Sequence, residues 1–113
     1  MCSQSVLNEI TAKIVQAARG SLGDRLDKVI LYGSYARGDH DDESDIDIMV
    51  LADIEREEAN KECRRIWSLT GDLDLKYDVI VSIHVVDCTT FYKFINDLPF
   101  YMNVIKEGVL LSA

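Results

Sequence analysis

Apolar side chains recur along the chain with two periods, and these sort it into helices and strands. Val6, Leu7, Ile10, Ile14 and Ala17 fall at helical spacing, which predicts an amphipathic helix over residues 5–18, ended by Gly20 and Gly23. Lys28 to Tyr32 (KVILY) is a short apolar run with β-branched members and reads as a buried strand, broken by Gly33-Ser34. Tyr35 to Gly38 reads as a helical turn. Asp45 to Leu51 (DIDIMVL) alternates and then turns wholly apolar, a second strand. Ala59, Cys63, Ile66 and Trp67 mark the inner face of a helix over residues 54–69, with Glu, Lys and Arg on its other side. After the turn signal Thr70-Gly71-Asp72, Tyr77 to Val86 (YDVIVSIHVV) is the strongest strand signal in the chain. Phe91 to Ile95 reads as a helix capped by Asp87 or Thr89. Pro99 suits the first turn of a last helix with Gly108 past its end, and Val109 to Leu111 suits an edge strand.

Helices alternating with at least three strands imply an α/β or α+β domain with helices packed on one small sheet. About a dozen residues join the first two strands, the lower limit for a parallel crossover, so the sheet is expected to be mixed. With 113 residues, one proline and no low-complexity stretch, residues 1–113 form a single domain.

Charge sharpens this picture at one place. Six of the nine positions from Asp39 to Asp47 are carboxylates, and the run enters the apolar strand. Side chains alternate along a strand, so Asp45 and Asp47 share one face, about 7 Å apart, while Ile46 and Ile48 enter the core. Two such carboxylates repel unless a cation lies between them, and Mg²⁺ takes oxygen ligands of this kind, completed by substrate phosphates. Two ions about 4 Å apart could clamp both oxygens of a phosphoryl transfer, given a further carboxylate nearby. Asp78, near the start of YDVIVSI, is the candidate for that third acid, with Asp74 as its competitor. Gly33-Ser34, between a strand and a helical turn, offers backbone amides and a hydroxyl to a phosphate.

Gly33-Ser34, ten intervening residues and then Asp45-x-Asp47 at the start of a strand resemble the signature of the DNA polymerase β-type nucleotidyltransferase superfamily. The small size resembles its minimal nucleotidyltransferase (MNT) members, which pair with HEPN-domain ribonucleases in toxin–antitoxin modules. The resemblance implies that Asp45, Asp47 and Asp78 bind two Mg²⁺ ions, and that Asp78 helps remove a proton from the attacking hydroxyl. It implies that Gly33 and Ser34 hold the terminal phosphates of ATP. Arg37 and Ser44 are further candidates for phosphate contact, against a loop salt bridge for Arg37 and a strand cap for Ser44. The implied reaction is transfer of AMP from ATP to a hydroxyl, here a tyrosine of a cognate HEPN toxin.

Two other readings stay open: an antitoxin that simply occludes its toxin, and transfer to a small molecule such as an aminoglycoside. The formal net charge of −8 argues against gripping nucleic acid and requires metal ions to bridge a polyphosphate to the surface. Acidity and a C-terminal third rich in aromatics suit a basic partner protein or a second copy of the chain. The N-terminus lacks the pattern of a signal peptide and no apolar run could span a bilayer, so a soluble cytoplasmic protein is expected. Cys2, Cys63 and Cys88 form no C-x-x-C pair and read as inert thiols. His40 and His84 have no companions at ligand spacing and read as structural or exposed. An EF-hand loop fails, since Ser44 stands where glycine is needed and Val50 where glutamate is needed. There is no P-loop motif.

Overall fold

The computed structural model describes residues 3–41 and 43–112, so Cys2 and Asp42 lie outside the described residues. The elements in order are α1 (Gln4–Leu22), β1 (Leu26–Tyr32), α2 (Ser34–Arg37), β2 (Ile46–Ala52), α3 (Ala59–Thr70), α4 (Leu73–Tyr77), β3 (Val81–Asp87), α5 (Cys88–Phe94), α6 (Pro99–Glu107) and β4 (Val109–Ser112). The strands form one sheet in the order β3-β2-β1-β4. β1 pairs antiparallel with β2 and with β4, whereas β2 and β3 run parallel. The sheet is therefore mixed, as the short β1–β2 connection required, and the α3–α4 crossover serves the parallel pair.

Strand alternation divides the sheet into two covered faces. Ile46, Ile48, Val50 and Ala52 of β2 join Leu7, Ile10, Ile14 and Ala18 of α1 and Ile66 of α3 in the larger core. The intervening Met49 and Leu51 meet Ile30, Tyr32, Phe91 of α5 and Val104 of α6 in a smaller core. Asp47 belongs to this second face, at the end where its helical cover gives out. At about 25 cal/mol per Å² of apolar surface, burial on both faces is what holds β2 in register.

Several boundaries differ from the sequence pattern. α1 runs a turn further, carries Gly20 inside it and ends at Gly23. The third helix is preceded by a separate 3₁₀ turn, Arg56–Glu58, closed by a capping box between Glu55 and Glu58. On α3 the buried positions include Glu62, only 2% exposed, although the pattern put the acids outside. Its carboxylate accepts a 2.8 Å hydrogen bond from Ser21 and lies 3.4 Å from Arg65 and 3.7 Å from Arg25, which satisfies the buried charge.

The largest correction falls on residues 77–86. The strand begins only at Val81, and Leu73–Tyr77 form a short helix that the sequence did not announce. Asp78 caps that helix in the left-handed conformation (φ 53°) and is exposed. It is not a strand residue. A carboxylate at a left-handed helix end satisfies the turn and escapes burial, so the cost that made it look like a ligand is never incurred.

α5 starts at Cys88, three residues before the predicted Phe91, and β2 at Ile46 rather than Asp45, while the predicted caps and the C-terminal elements agree. The Asp87 carboxylate accepts the Thr90 N–H at 2.9 Å to start α5, Pro99 opens α6, Gly108 follows it, and β4 lies at the sheet edge.

Candidate active site

The chain turns from β1 into α2 at Gly33, whose φ of 75° and ψ of −156° are open only to glycine. A Cβ there would collide with Asp47 Oδ2. Backbone and carboxylate thus touch directly, and α2 begins against the acidic end of β2. The Gly33 carbonyl accepts from Ala36 and Arg37, each at 3.1 Å, while the Ser34 amide stands at the first helical position, where no intrahelical acceptor exists.

Asp45 directly precedes β2, and a 2.8 Å bond from Ile46 N–H to the Ile80 carbonyl ties the chain to the start of β3 there. Asp45 and Asp47 are both half-buried, while the intervening Ile46 is fully buried. Burial first, then the charge of Asp45, push the Asp47 carboxyl above its ordinary value, with His84 and Arg37 pulling the other way. Repulsion of this kind is what a bound divalent cation offsets, so the pair fits one. Among the described residues, however, no group of three or more His, Cys, Asp or Glu side chains is gathered to hold a metal. Asp78 does not complete such a group with Asp45 and Asp47, and neither does Asp74 on α4.

What does flank Asp47 follows from register. It pairs with Tyr32 on β1 and with Ser82 on β3, and His84 lies one step further along the same face of β3. Tyr32 is buried, and burial together with Asp47 pushes its hydroxyl up to about 12. Its ring meets Phe100 of α6 edge-on at 5.6 Å and the His84 imidazole at 6.3 Å. These four residues were not singled out by the motif. The signal for Ser82 and His84 was the alternation of β3, readable only once Ser82 is known to stand opposite Asp47.

The remaining candidates are engaged in the loop. Arg37 pairs with Asp39 at 3.2 Å and with Glu107 of α6 at 3.5 Å. The Ser44 hydroxyl accepts the Asp41 N–H at 2.9 Å and lies 3.1 Å from the Asp41 carboxylate, so it closes the acidic loop. His40 stacks on Tyr35 at 4.0 Å.

A glycine turn thus lies against Asp47, and Asp45 stands just before the same strand of a mixed sheet. Residues 12–111 match the model of the nucleotidyltransferase domain family, and the chain belongs to that family. Two proteins of Methanocaldococcus jannaschii, both provisionally named protein adenylyltransferases, are similar to it. One is 40% identical over 71% of this chain and 79% of its own length, the other 36% identical over 88% and 91%. Two solved structures share the fold. A toxin–antitoxin with AMP-PNP has a TM-score of 0.54 at 24% identity over 91% of this chain and 73% of its own. A nucleotidyltransferase, so described provisionally, from Sulfolobus solfataricus has a TM-score of 0.51 at 23% identity over 96% and 86%. The chain is a nucleotidyltransferase domain built on one four-stranded sheet. No helix among the described residues is long and apolar enough to cross a membrane.

Proposed function

We propose that the protein transfers AMP from Mg²⁺-bound ATP to a hydroxyl of a partner protein, a tyrosine of a HEPN-type toxin. The observation that carries this reading is the close approach of the Gly33 turn to the Asp47 carboxylate, with Asp45 two residues before it, which supports a phosphate held beside bound cations. The provisional names of the two archaeal relatives support a protein acceptor. The fold neighbour with AMP-PNP, described as a toxin–antitoxin, supports an adenine nucleotide and a toxin partner.

On this reading each residue has a task. Asp45 and Asp47 would hold the cations, which would supply the charge that lets an acidic protein bind a triphosphate and Lewis acidity for the leaving pyrophosphate. Two carboxylates alone would leave ligand positions to phosphates and water. The Gly33-Ser34 turn receives the terminal phosphates through backbone amides and the Ser34 hydroxyl. Arg37 reaches a phosphate only by exchanging its Asp39 and Glu107 partners for it. Tyr32, held protonated, is a hydrogen-bond donor beside Asp47.

Incubation with labelled ATP, Mg²⁺ and a co-expressed HEPN partner is expected to label the partner, and Asp45→Asn/Asp47→Asn to abolish the label. Equal labelling by that double variant would refute the assignment. A second reading, occlusion of the toxin without catalysis, draws on there being no third carboxylate gathered with Asp45 and Asp47 among the described residues. It requires that the double variant still rescue toxin-expressing cells; failure of rescue selects catalysis.

A further inference from the structure

The attacking hydroxyl must lose a proton, and the acid expected to take it, Asp78, ends α4 in solvent instead. The question is which group on the face of Asp47 can replace it. β3 presents Ser82, His84 and Val86 on that face, while Val81, Ile83 and Val85 pack into the opposite core. The one carboxylate within β3, Asp87, pairs with Ala52 at the far end of the strand and caps α5.

We propose that His84 is the catalytic base that accepts the proton of the attacking hydroxyl, a role that rests on the adenylyl-transfer reading above. The imidazole is exposed, so an incoming acceptor can reach it, and Tyr32 at 6.3 Å fixes the side of the sheet it occupies. Strand spacing of about 4.8 Å and a two-residue step of about 6.6 Å set the α-carbons of Asp47 and His84 about 8 Å apart. Asp47 and His84 are thus diagonal neighbours on one face of adjacent strands.

Four other described groups near the turn are otherwise engaged. Asp39 and Glu107 are held by Arg37, His40 lies flat on Tyr35 with Nδ1 buried, and Tyr32 keeps its proton. In the reaction the acceptor oxygen bonds to the α-phosphorus, the bond from that phosphorus to the bridging oxygen breaks, and pyrophosphate leaves with the electron pair. The hydroxyl proton passes to an imidazole nitrogen of His84.

The test uses the full chain, Mg²⁺, α-labelled ATP and N-acetyltyrosinamide as the acceptor. His84→Ala is expected to lower kcat for AMP transfer about 10²–10⁴-fold, the usual worth of a general base. Its KM for ATP should stay within about twofold, because the turn and the carboxylates are untouched. Added imidazole should restore transfer in a saturable manner, and His84→Asp, which puts a carboxylate on this face of β3, should retain more activity than His84→Ala. Unchanged kcat in His84→Ala, or no restoration by imidazole in a variant whose urea midpoint matches wild type, would overturn the proposal. A wild-type protein that labels no acceptor, tyrosinamide or partner, would instead sink the adenylyl-transfer reading and this inference with it.

Discussion

Replacing Gly33 by alanine separates a backbone cost from a functional one, because a second glycine provides the control. Gly33 (φ 75°) and Gly38 (φ 82°) flank the same short helix, and both adopt conformations that an L side chain resists. Around Gly38 a Cβ would meet nothing within 4 Å, whereas at Gly33 it would strike the Asp47 carboxylate. Gly38→Ala should therefore cost about 1–2 kcal/mol of stability, the ordinary penalty of the left-handed region. Gly33→Ala, in the region with ψ near 180°, should cost about 1–3 kcal/mol from backbone strain, with the collision added. Relief of that collision must displace Asp47 or the turn, and a displacement of about 1 Å at a reacting centre can lower the rate about 10²-fold. Urea denaturation measures the first quantity and transfer of labelled AMP the second. Gly33→Ala should lose more stability than Gly38→Ala, by the cost of the collision, and only Gly33→Ala should lose transfer beyond what unfolding explains. Equal activity in the two variants would refute the claim that the turn and Asp47 work as one unit.

Two further expectations concern titrating groups. Asp47→Asn should stabilise the metal-free protein at pH 7: a carboxyl raised above its unfolded value binds protons more tightly in the folded state, so wild-type stability falls as pH rises through that raised value. The difference in urea midpoint should shrink as the pH drops towards 3.8, the ordinary value of an aspartate carboxyl, and a less stable variant at neutral pH would refute the electrostatic account. Burial first, then Asp27, push the Cys88 thiol up to about 11, and burial also raises Cys63, so both should resist iodoacetamide at about pH 8 until the protein is unfolded; mass-mapped alkylation of either in the native state would contradict this.

Much of the arrangement is legible in local chemistry. Asp45-x-Asp47 on one face, Ile46 and Ile48 in the core, and a glycine turn ten residues earlier are consequences of strand alternation and of what glycine alone permits. Pro99 and Gly108 mark the ends of α6 because each solves a problem of a helix terminus. The run from Tyr77 to Val86 misled for an equally physical reason. β-branched residues register a preference for extended backbone, but the left-handed turn at Asp78 and the bond from Val79 N–H to the Asp74 carbonyl at 3.2 Å belong to the close of α4. Tertiary packing of Leu73, 1% exposed, holds that helix in place, and no local pattern reports it. Glu62 is illegible in the same sense. Its burial depends on Ser21 and Arg25, about forty residues away in sequence, supplying a hydroxyl and a charge.

The chemistry of the site is thus decided as much by pairing as by motif. β1 ends and β2 begins at the same edge because the two are antiparallel, which brings Tyr32, Gly33 and Asp47 together. β3 begins there too because it runs parallel to β2, and its register chooses which side chain joins them. Slipped by one residue, β3 would present Val81 or Ile83 to Asp47, and the site would have no polar group from that strand. In the observed register it presents Ser82 opposite Asp47 and His84 beside it. Asp78 closes α4 in the left-handed conformation and lies outside β3, whereas His84 is the exposed residue of that strand and shares the face of Ser82.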